Sequence, residues 1–409
     1  MRLLAFVAAG CGCALALLPG APARALSLEE ALVRAGQRRL EIAAIPSETQ
    51  AGEGNVVQAS VGPAAELDLE TQSDLGDSKV EIIFVQERGG KRDARVAAAR
   101  AELEALGARA KVLRLDVGYQ VRKAYTAVIA AEQSLRLTEE ARALARSLTE
   151  TVAEKVRAGA ASPIEETRAA VRLHGTSAEV ERARREVALA RADLALAVGD
   201  HGVRSEPLEG RLSEDTKLPD ATAPAGPLSA SPDLKHLDRQ VAVRRSILAA
   251  EQAQSSRDIS WRAAAHYNSP DEEAWLSFGV TIPLFGSGRN RGALAAAAAD
   301  VDRAEQERAA AERRRTAEWE RTQAGLQASA REAEILRDEV LAGAERAFAT
   351  VQEGYRLGKF PYLDVLDASQ VLLEARLQFT AALAALAQAR IDVDRLLGTT
   401  DLFSSNASR

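Results

Sequence analysis

The chain has 409 residues, of which 27% are charged, 46% are hydrophobic and only 4% are aromatic, and its net charge is −6. Ala, Leu, Arg and Glu dominate this composition, which is typical of long helices and coiled coils. Positive and negative side chains are interleaved along the sequence. The sequence therefore lacks the basic cluster that nucleic-acid binding requires, and no nucleic-acid partner is predicted.

Residues 1–25 have the pattern of a secretory signal peptide, with a positive start, a long apolar run and an A-x-A cleavage sequence that ends at Ala25. Both cysteines, Cys11 and Cys13, lie in this segment, so a mature chain that begins near Leu26 contains none. A lipoprotein signal at Cys11 is an alternative, but the apolar run before it is short. No later segment has about 18 consecutive apolar residues, so no transmembrane helix is predicted.

The remaining sequence consists of two similar halves. The segments VRAGAASPIEETRAAV (156–171) and YRLGKFPYLDVLDASQ (355–370) align without a gap at a constant offset of 199. Gly159 aligns with Gly358, and an acidic residue follows each glycine at the same spacing. The predicted organisation is a first repeat at 26–199, a linker at 200–230, a second repeat at 231–398 and a C-terminal tail at 399–409.

Each half contains two short segments in which apolar side chains alternate with polar or small ones, the period of a β-strand. The predicted strands are 65–72 and 79–85 in the first half, and 259–268 and 274–283 in the second. Aromatic residues are concentrated in the second pair, as in the interfacial belt of a membrane barrel. These aromatic residues are Trp261, Tyr267, Trp275, Phe278 and Phe285.

Each strand pair is followed by a long helical hairpin, at 91–198 and at 289–397. The first arm of each hairpin has no proline over about 66 residues, which is a helix of roughly 100 Å. In the first hairpin, small and branched apolar residues follow the heptad spacing of a coiled coil. These are Val117, Val121, Ala124, Val128, Ala131 and Leu135.

The second arm of each hairpin, at 163–198 or 362–397, is shorter than the first. Stacked on the helix that precedes the strands, at about 231–258 in the second half, it would match the length of the long arm. In the first half, Pro46, Gly52 and Gly54 are predicted to interrupt the corresponding helix before the strands.

Four short strands with one apolar face cannot cover a core of their own, and strands of this length suit a membrane-spanning barrel. A barrel in lipid must close, because the bilayer cannot satisfy an open sheet edge. Several chains would therefore have to combine their strands. The alternative is a soluble β-hairpin that packs on helices.

The order of these segments resembles the TolC family of outer-membrane efflux ducts over nearly the whole mature chain. The stretch QERGGKR at 86–92 is similar to the heavy-metal, CzcC-like branch of that family. The matching segments are LSLEEAL at 26–32, SPDL at 231–234, VTIPLFGSGR at 280–289, and Tyr355-x-x-Gly358 followed by DVLDA at 364–368.

The resemblance implies a mainly α fold with long coiled-coil hairpins and two short β-hairpins per chain. Three chains would form a 12-stranded transmembrane β-barrel in outer-membrane lipid and an α-helical barrel in the periplasm, with the linker 200–230 at its equator. It further implies a passive duct of a Gram-negative bacterium, without a cofactor. The duct would be joined through a periplasmic adaptor (membrane fusion protein) to an inner-membrane pump of the RND or ABC type.

The resemblance also implies a constriction at the hairpin tips. Asp364 and Asp367 match the acidic pair at the inner end of the pore, where threefold symmetry would produce carboxylate rings that select cations. Tyr355 matches a tyrosine of the closed entrance, whereas Phe360 stands where the family has an arginine. Glu165 is either a further ring residue or part of a capping box.

The turns themselves are the predicted adaptor-docking tip, with Arg157 and Gly159 in the first half and Arg356 and Gly358 in the second. Exposed arginines are also common at any helix end. A soluble periplasmic coiled-coil adaptor or scaffold is the alternative function.

The sequence contains no motif for catalysis or for metal binding. The glycine-rich stretch 286–292 has the wrong spacing for a dinucleotide loop and is predicted to be a strand-to-helix turn. Arg315 and its two preceding arginines are flanked by glutamates, which favours a solvated helix face. The four histidines have no metal-ligand spacing. No enzyme, cofactor or metal site is predicted.

Overall fold

The computed structural model describes residues 25–72, 77–216, 228, 231–268, 272–283 and 290–398. The predicted signal peptide up to residue 24, the tail from residue 399, most of the glycine-rich stretch 286–292 and the aromatic Phe285 lie outside the described residues.

Helices form most of the described chain, and the predicted mainly α fold class is confirmed. A short 3-10 helix covers His201–Ser205, and a π-helical segment covers Leu336–Leu341. The α-helices are α1 (Leu28–Arg38), α2 (Leu40–Ala43), α3 (Ile45–Ser60), α4 (Lys91–Arg157), α5 (Pro163–Val198), α6 (Pro232–Gln254), α7 (Arg291–Ile335), α8 (Ala342–Arg356) and α9 (Tyr362–Leu397).

The strands β1 (Glu66–Gln72), β2 (Asp77–Gln86), β3 (Ile259–Asn268) and β4 (Glu273–Thr281) form one antiparallel sheet in the order β1-β2-β3-β4. The two predicted hairpins are therefore joined, because β2 pairs with β3 along its whole length. In the described part of the chain β1 and β4 each have a strand on one side only.

The sheet has one apolar face and one polar face. The register aligns Leu69, Val80, Ala265 and Leu276 across the four strands, and their side chains share one face. That face is not covered by the chain, since the Phe278 side chain on it is 82% exposed. Large exposed side chains of the face are Leu67, Leu69, Val80, Ile82, Phe84, Trp261, Tyr267, Leu276, Phe278 and Val280.

Trp275 does not belong to the apolar face, in contrast to Trp261, Tyr267 and Phe278. It pairs with His266 in the register, and the two rings stack at a centroid distance of 5.0 Å with an interplanar angle of 3°. The physical reason is strand alternation, because Trp275 precedes Leu276 and must point to the opposite side.

The shorter helices are stacked end to end beside the long ones, as their lengths predict. Gly398 ends α9 with a φ of 65°, and a Cβ there would lie 2.5 Å from Cδ of Pro232, the first residue of α6. Gly199 ends α5 in the same way, with backbone atoms of Arg38 at 3.4 Å from a Cβ position. The stack of α5 and α1 therefore runs alongside α4, and the stack of α9 and α6 lies against both α4 and α7.

The two long arms differ. Helix α4 is an unbroken α-helix of 67 residues, whereas its counterpart is divided into α7 and α8 by the π-helical segment Leu336–Leu341. A π-helical segment accommodates an extra residue within a helix and interrupts its regular hydrogen bonding. The absence of proline predicts an unbroken helix here, so this interruption was not expected from the sequence.

The helix before the strands is interrupted at Ala44, close to Pro46 as predicted. Helix α3 passes through Gly52 and Gly54 without a break, so the predicted interruption at these two glycines was wrong. Pro46 lies in the first turn of α3, where its missing N–H removes no helical hydrogen bond. Gly52 has a packing role, because a Cβ at this position would lie 2.9 Å from Cδ1 of Leu103 on α4. The glycine thus allows α3 and α4 to approach closely.

The main core lies at the middle of the helical body, where α1, α4, α5, α7 and α9 meet. Leu26 at its edge is fully buried and forms a parallel β-bridge with Leu208 in the segment after α5. The Tyr125 hydroxyl lies 2.8 Å from the Leu26 carbonyl oxygen and 2.5 Å from that of Glu209. These contacts hold the N-terminal segment and the described part of the linker on the core.

An ion network joins the stacked helices of the second half. Arg395 on α9 contacts Asp233 on α6 at 2.8 Å and Asp116 on α4 at 2.7 Å. Arg315 on α7 contacts Asp233 at 2.6 Å, and only 12% of its side chain is exposed. The prediction that Arg315 lies on a solvated face was therefore wrong, although the two arginines before it are exposed.

Burial opposes ionisation of Asp233, but the hydrogen bond and charge of Arg395, together with Arg315, lower the pKa of the Asp233 carboxyl below its ordinary 3.8.

Within the described ranges, no helix has the length and hydropathy needed to cross a lipid bilayer.

Candidate functional site

The two hairpin tips share one backbone arrangement. In the first half the N–H of Ala160 donates to the Lys155 carbonyl at 2.8 Å, and the N–H of Gly159 donates to the Val156 carbonyl at 3.0 Å. The second half repeats both bonds 199 residues later, at 2.7 and 3.0 Å. This pair of bonds is the Schellman motif that ends a helix.

Glycine makes both turns possible. Gly159 has a φ of 70° and Gly358 a φ of 73°, a left-handed conformation that other residues adopt at a cost. No atom outside the immediate chain neighbours lies within 4 Å of a Cβ position at either glycine. The requirement for glycine at these two predicted docking residues therefore comes from the backbone angle and not from lack of space.

The two arginines of the predicted docking tip are exposed. The Arg157 Nε donates to the Ala153 carbonyl of its own helix at 3.4 Å. Arg356 forms an ion pair with Glu353 at 3.3 Å, with 77% of the arginine side chain exposed. Neither contact restrains the guanidinium strongly, so both arginines can bind another molecule at the tip.

Asp364 and Asp367 are exposed on one face of the first two turns of α9. The N–H groups at this helix start favour a nearby negative charge. In one chain the two acids form a short acidic strip close to the turn, with their side chains in solvent.

Glu165 has a different environment from its counterpart Asp364. It is half-buried in the first turn of α5 and lies near the hydroxyl of Tyr362, whose pKa its charge helps to raise. The Ser162 hydroxyl accepts a hydrogen bond from the N–H of Ile164 at 3.4 Å, where a capping box would use the N–H of Glu165. Ser162 therefore caps α5 in another geometry than the predicted one.

Tyr355 and Tyr362 join the two hairpins at the tip. The Lys155 Nζ of α4 lies 3.8 Å from the ring centroid of Tyr355 on α8, which is a cation–π contact between hairpins. The rings of Tyr355 and Tyr362 are 6.2 Å apart and tilted by 59°. Tyr362 is only 3% exposed and packs with Val152 and Ala169 of the first hairpin.

Burial is the main cause that raises the pKa of Tyr362 above its ordinary 10.0, and Tyr355 and Glu165 add to it. The phenol is therefore neutral at any physiological pH. Lys155 and Tyr362 were not among the residues predicted from the sequence. No local pattern distinguishes them, because their contacts depend on how the two hairpins pack.

Phe360 packs against its own hairpin. A Cβ on Gly354 would overlap the Phe360 ring, so the glycine provides the surface on which the ring lies. The Phe360 side chain remains 40% exposed. Within one chain it is thus a partly exposed apolar group directly after the turn, where the arginine of the resembled family would stand.

The site provides negative charge, a hydrophobic surface and two exposed arginines, but no metal ligand set. Among the residues that the structure describes, no group of three or more His, Cys, Asp or Glu side chains is placed to hold a metal ion.

Comparisons with known proteins agree with this architecture. The family described as "Outer membrane efflux protein" matches residues 228–399, which is the second repeat. The cobalt-zinc-cadmium resistance protein CzcC of Cupriavidus metallidurans is 29% identical over 388 residues, which cover 93% of this chain and 92% of CzcC.

Solved structures share the fold at lower sequence identity. A membrane protein from Pseudomonas aeruginosa has a TM-score of 0.74 at 20% identity, covering 90% of this chain and 93% of its own. CusC has a TM-score of 0.75 at 16% identity, covering 90% and 91%. The outer membrane protein VceC of Vibrio cholerae has a TM-score of 0.72 at 19% identity, covering 91% and 96%. The second repeat thus matches the outer membrane efflux protein family, and nearly the whole chain is similar in sequence to CzcC, in agreement with its resemblance to the TolC family.

Proposed function

We propose that three copies of this chain form an exit duct in the outer membrane of a Gram-negative bacterium. Each copy would contribute its four strands to a closed 12-stranded barrel, and the helical hairpins would extend into the periplasm as a tunnel. The duct is passive and contains no cofactor. A periplasmic adaptor would connect it to an inner-membrane pump of the RND or ABC type, which supplies the energy.

The sheet is the observation that supports this proposal most strongly. Its apolar face is exposed in the chain, with Phe278 at 82% and Leu276 at 71%. Exposure of such an apolar surface to water is unfavourable, whereas the hydrocarbon of a bilayer would stabilise it. The edge strands β1 and β4 can each accept a further strand, and pairing β4 of one copy with β1 of the next would close the barrel.

The polar face of the same sheet supports a water-filled interior. The register places Asp68, Glu81, Ala264 and Ser277 in one row across the strands, on the face opposite to the apolar one. A barrel with lipid outside and water inside requires this division of side chains.

The cargo proposed for the duct is divalent metal ions. The relative with 29% identity is named as a cobalt, zinc and cadmium resistance protein. A duct that only conducts ions needs no tight metal site, and exposed carboxylates suffice to attract cations. Growth of a duct-deficient strain in Co²⁺, Zn²⁺ or Cd²⁺ tests this assignment, provided that the strain retains the pump and adaptor of a metal efflux system. Restored metal tolerance is expected, and restored tolerance to uncharged drugs alone would contradict it.

We propose that the hairpin tips form the periplasmic entrance. In a trimer Asp364 and Asp367 would give two adjacent carboxylate rings, and Phe360 would narrow the opening with an apolar ring. The Lys155–Tyr355 contact would hold the second hairpin against the first in the closed state. Glu165 is assigned to the support of the tip because it is half-buried.

The outer surface of the same tips is the proposed adaptor-docking site. Arg157 and Arg356 are exposed beside the left-handed glycines Gly159 and Gly358, so each tip presents a cation on a tightly fixed turn. Replacing both arginines by glutamate should weaken adaptor binding to the purified duct and leave its conductance unchanged. Adaptor binding of unchanged affinity would remove the arginines from the docking site.

Two neighbouring residues of β4 test the membrane location. Phe278→Arg would place a charge on the lipid side, where it costs about 2–4 kcal/mol near the bilayer centre, whereas Ser277→Arg would place it in the polar interior. We expect Phe278→Arg to reduce the amount of trimer in outer-membrane fractions severalfold and Ser277→Arg to leave it unchanged. Equal effects of the two substitutions, or recovery of the wild type as a soluble periplasmic protein, would contradict the proposal.

A second test concerns the acidic rings. In planar lipid bilayers, the Asp364→Asn and Asp367→Asn double variant should lose most of its preference for cations over anions. The Glu165→Gln variant should retain that preference, since its side chain is half-buried. An unchanged ion preference in the double variant would exclude these two acids from the pore.

A further inference from the structure

A groove lies on the helical wall between α4 and α7, with α6 packed against both helices. Its cavity has a volume of about 400 Å³, which is within the range of small-molecule sites. Each helix contributes side chains from one face. The lining residues are Glu102, Ala105, Leu106, Arg109, His236, Gln240, Val243, Arg244, Arg303, Ala304 and Glu307.

The base of the groove is apolar. Leu106 and Val243 provide branched side chains, and the small residues Ala105 and Ala304 leave the space that becomes the cavity. All four are half-buried in the chain. An apolar group of a ligand would therefore lose contact with water when it enters.

The rim of the groove has an excess of positive charge. Arg303 is paired with Asp300 at 2.8 Å and also with Glu307 at 4.0 Å. By contrast, Arg109 and Arg244 have no hydrogen bond or ion pair among the described residues. Glu102 is the remaining carboxylate of the lining, so two guanidinium groups face one acid.

Two arginines that are close in sequence to the groove residues do form ion pairs. Arg239 contacts Glu104 at 2.7 Å, and Arg245 contacts Glu305 at 2.6 Å. Neither of these arginines lines the cavity. The two groove arginines thus differ from their neighbours in having their donors available to an added molecule.

His236 adds a polar group to the cavity wall. Its Nδ1 is buried and has no hydrogen-bond partner within the described part of the chain, while Nε2 lies 3.1 Å from Nε2 of Gln240. Burial, together with the nearby charge of Arg109, lowers the pKa of His236 below its ordinary 6.5. The imidazole is therefore neutral at neutral pH and can serve as a hydrogen-bonding group without adding charge.

We propose that this groove binds a small amphipathic organic anion. Its carboxylate or sulfonate would lie between Arg109 and Arg244, and its apolar body would pack on Leu106 and Val243. Guanidinium groups bind such oxyanions through paired hydrogen bonds. An organic cation of the same shape would be repelled, and an inorganic anion would leave the apolar base uncovered.

The groove is formed within a single chain. It is centred on α6, which has α4 on one side and α7 on the other within the same chain. The site is complete in one chain, so its occupancy does not depend on the proposed duct function.

The experiment uses the full mature protein in lipid nanodiscs and the probe 2-naphthoate, an aromatic carboxylate, with isothermal titration calorimetry. Empty nanodiscs provide the background for partition into lipid. We expect saturable binding of one probe per chain and about tenfold weaker binding for Arg244→Gln and for Arg109→Gln. Arg245→Gln is the matched control, because this neighbour lies outside the groove and should leave the affinity unchanged.

A further variant and a second probe test the shape of the groove separately from its charge. Ala304→Leu would fill the cavity without changing its charge and should also abolish binding. The cationic isostere 2-naphthylmethylammonium should not bind. Equal affinity of Arg244→Gln and Arg245→Gln, binding of the cation as tightly as the anion, or unsaturable uptake by the wild type would each overturn the proposal.

Discussion

The tips of the two halves have the same backbone and different side chains. Both turns contain the same two hydrogen bonds and a glycine with a φ near 70°. In the first half the acid after the turn, Glu165, is half-buried near Tyr362, whereas in the second half Asp364 is exposed. The repeat has thus preserved the reversal of the chain while the two acids occupy different environments.

This difference shows why the second hairpin is the better candidate for the pore lining. Its tip has exposed acids and a partly exposed phenylalanine, and its long arm is interrupted by the π-helical segment Leu336–Leu341. The first hairpin has an unbroken arm and provides the surface on which Tyr362 is buried. The first hairpin therefore supports the tip of the second hairpin.

The largest expected effect on this arrangement comes from Tyr362→Ala. The side chain is 3% exposed between the hairpins, so its removal should cost about 3 kcal/mol in the free energy of unfolding. Phe360→Ala should cost less, about 1–2 kcal/mol, because that ring is 40% exposed. Denaturant unfolding followed by circular dichroism measures both. A larger loss of unfolding free energy for Phe360→Ala than for Tyr362→Ala would show that Phe360, and not Tyr362, holds the two hairpins together.

The junctions between stacked helices give the next comparison. In the second half Asp233 binds Arg395 and Arg315, whereas position 34 of the first half carries an arginine that binds Glu206 at 2.8 Å. Asp233→Asn should cost about 2 kcal/mol at pH 7, because it removes an acceptor from charged hydrogen bonds.

The pH dependence of Asp233→Asn follows from the lowered pKa of Asp233. A carboxyl whose folded-state pKa is depressed stabilises the protein above its ordinary pKa of 3.8, and this stabilisation is lost as the pH falls further. The difference in unfolding free energy between wild type and variant should be constant from pH 7 to about pH 5 and shrink below about pH 4. A difference that grows on acidification would show that Asp233 is not held ionised.

Two helical glycines of the second hairpin should respond in opposite ways. Gly354→Ala would force the Phe360 ring away and destabilise the protein by about 1–2 kcal/mol. Gly343 has open space at its Cβ position, so Gly343→Ala should stabilise by about 0.5–1 kcal/mol through helix propensity. Thermal unfolding of both variants checks the sign. Stabilisation by Gly354→Ala would mean that the ring does not lie on this glycine.

The smallest effect tests the equivalence of the two turns. Gly159→Ala and Gly358→Ala should each cost about 1 kcal/mol, because both need a left-handed backbone and neither is crowded. The two losses should agree within about 0.5 kcal/mol. A much greater loss of stability at one turn would show that the two turns have different environments although they share the same hydrogen bonds.

Local rules made much of this fold predictable from the sequence. Strand alternation identified the strands, and glycine and proline marked where the helices of the hairpins end and begin, because these signals act within a few residues. The same alternation places Trp275 on the polar face, opposite to Leu276 and Phe278.

Contacts between distant elements were not predictable in this way. Arg315 lies in an arginine cluster that looks solvated, and its burial depends on Asp233, which is 82 residues away in the sequence. Gly52 was interpreted as a helix breaker because its packing on Leu103 is visible only in three dimensions. At the tip, the Lys155–Tyr355 contact likewise depends on the packing of two hairpins.

A single-particle cryo-electron microscopy structure of the protein in lipid nanodiscs tests most directly whether three copies form a membrane duct. We expect a threefold axis, pairing of β1 with β4 of the adjacent copy, and the Leu276 and Phe278 side chains in contact with lipid. A particle in which the sheet is covered by protein and lies outside the bilayer would contradict it.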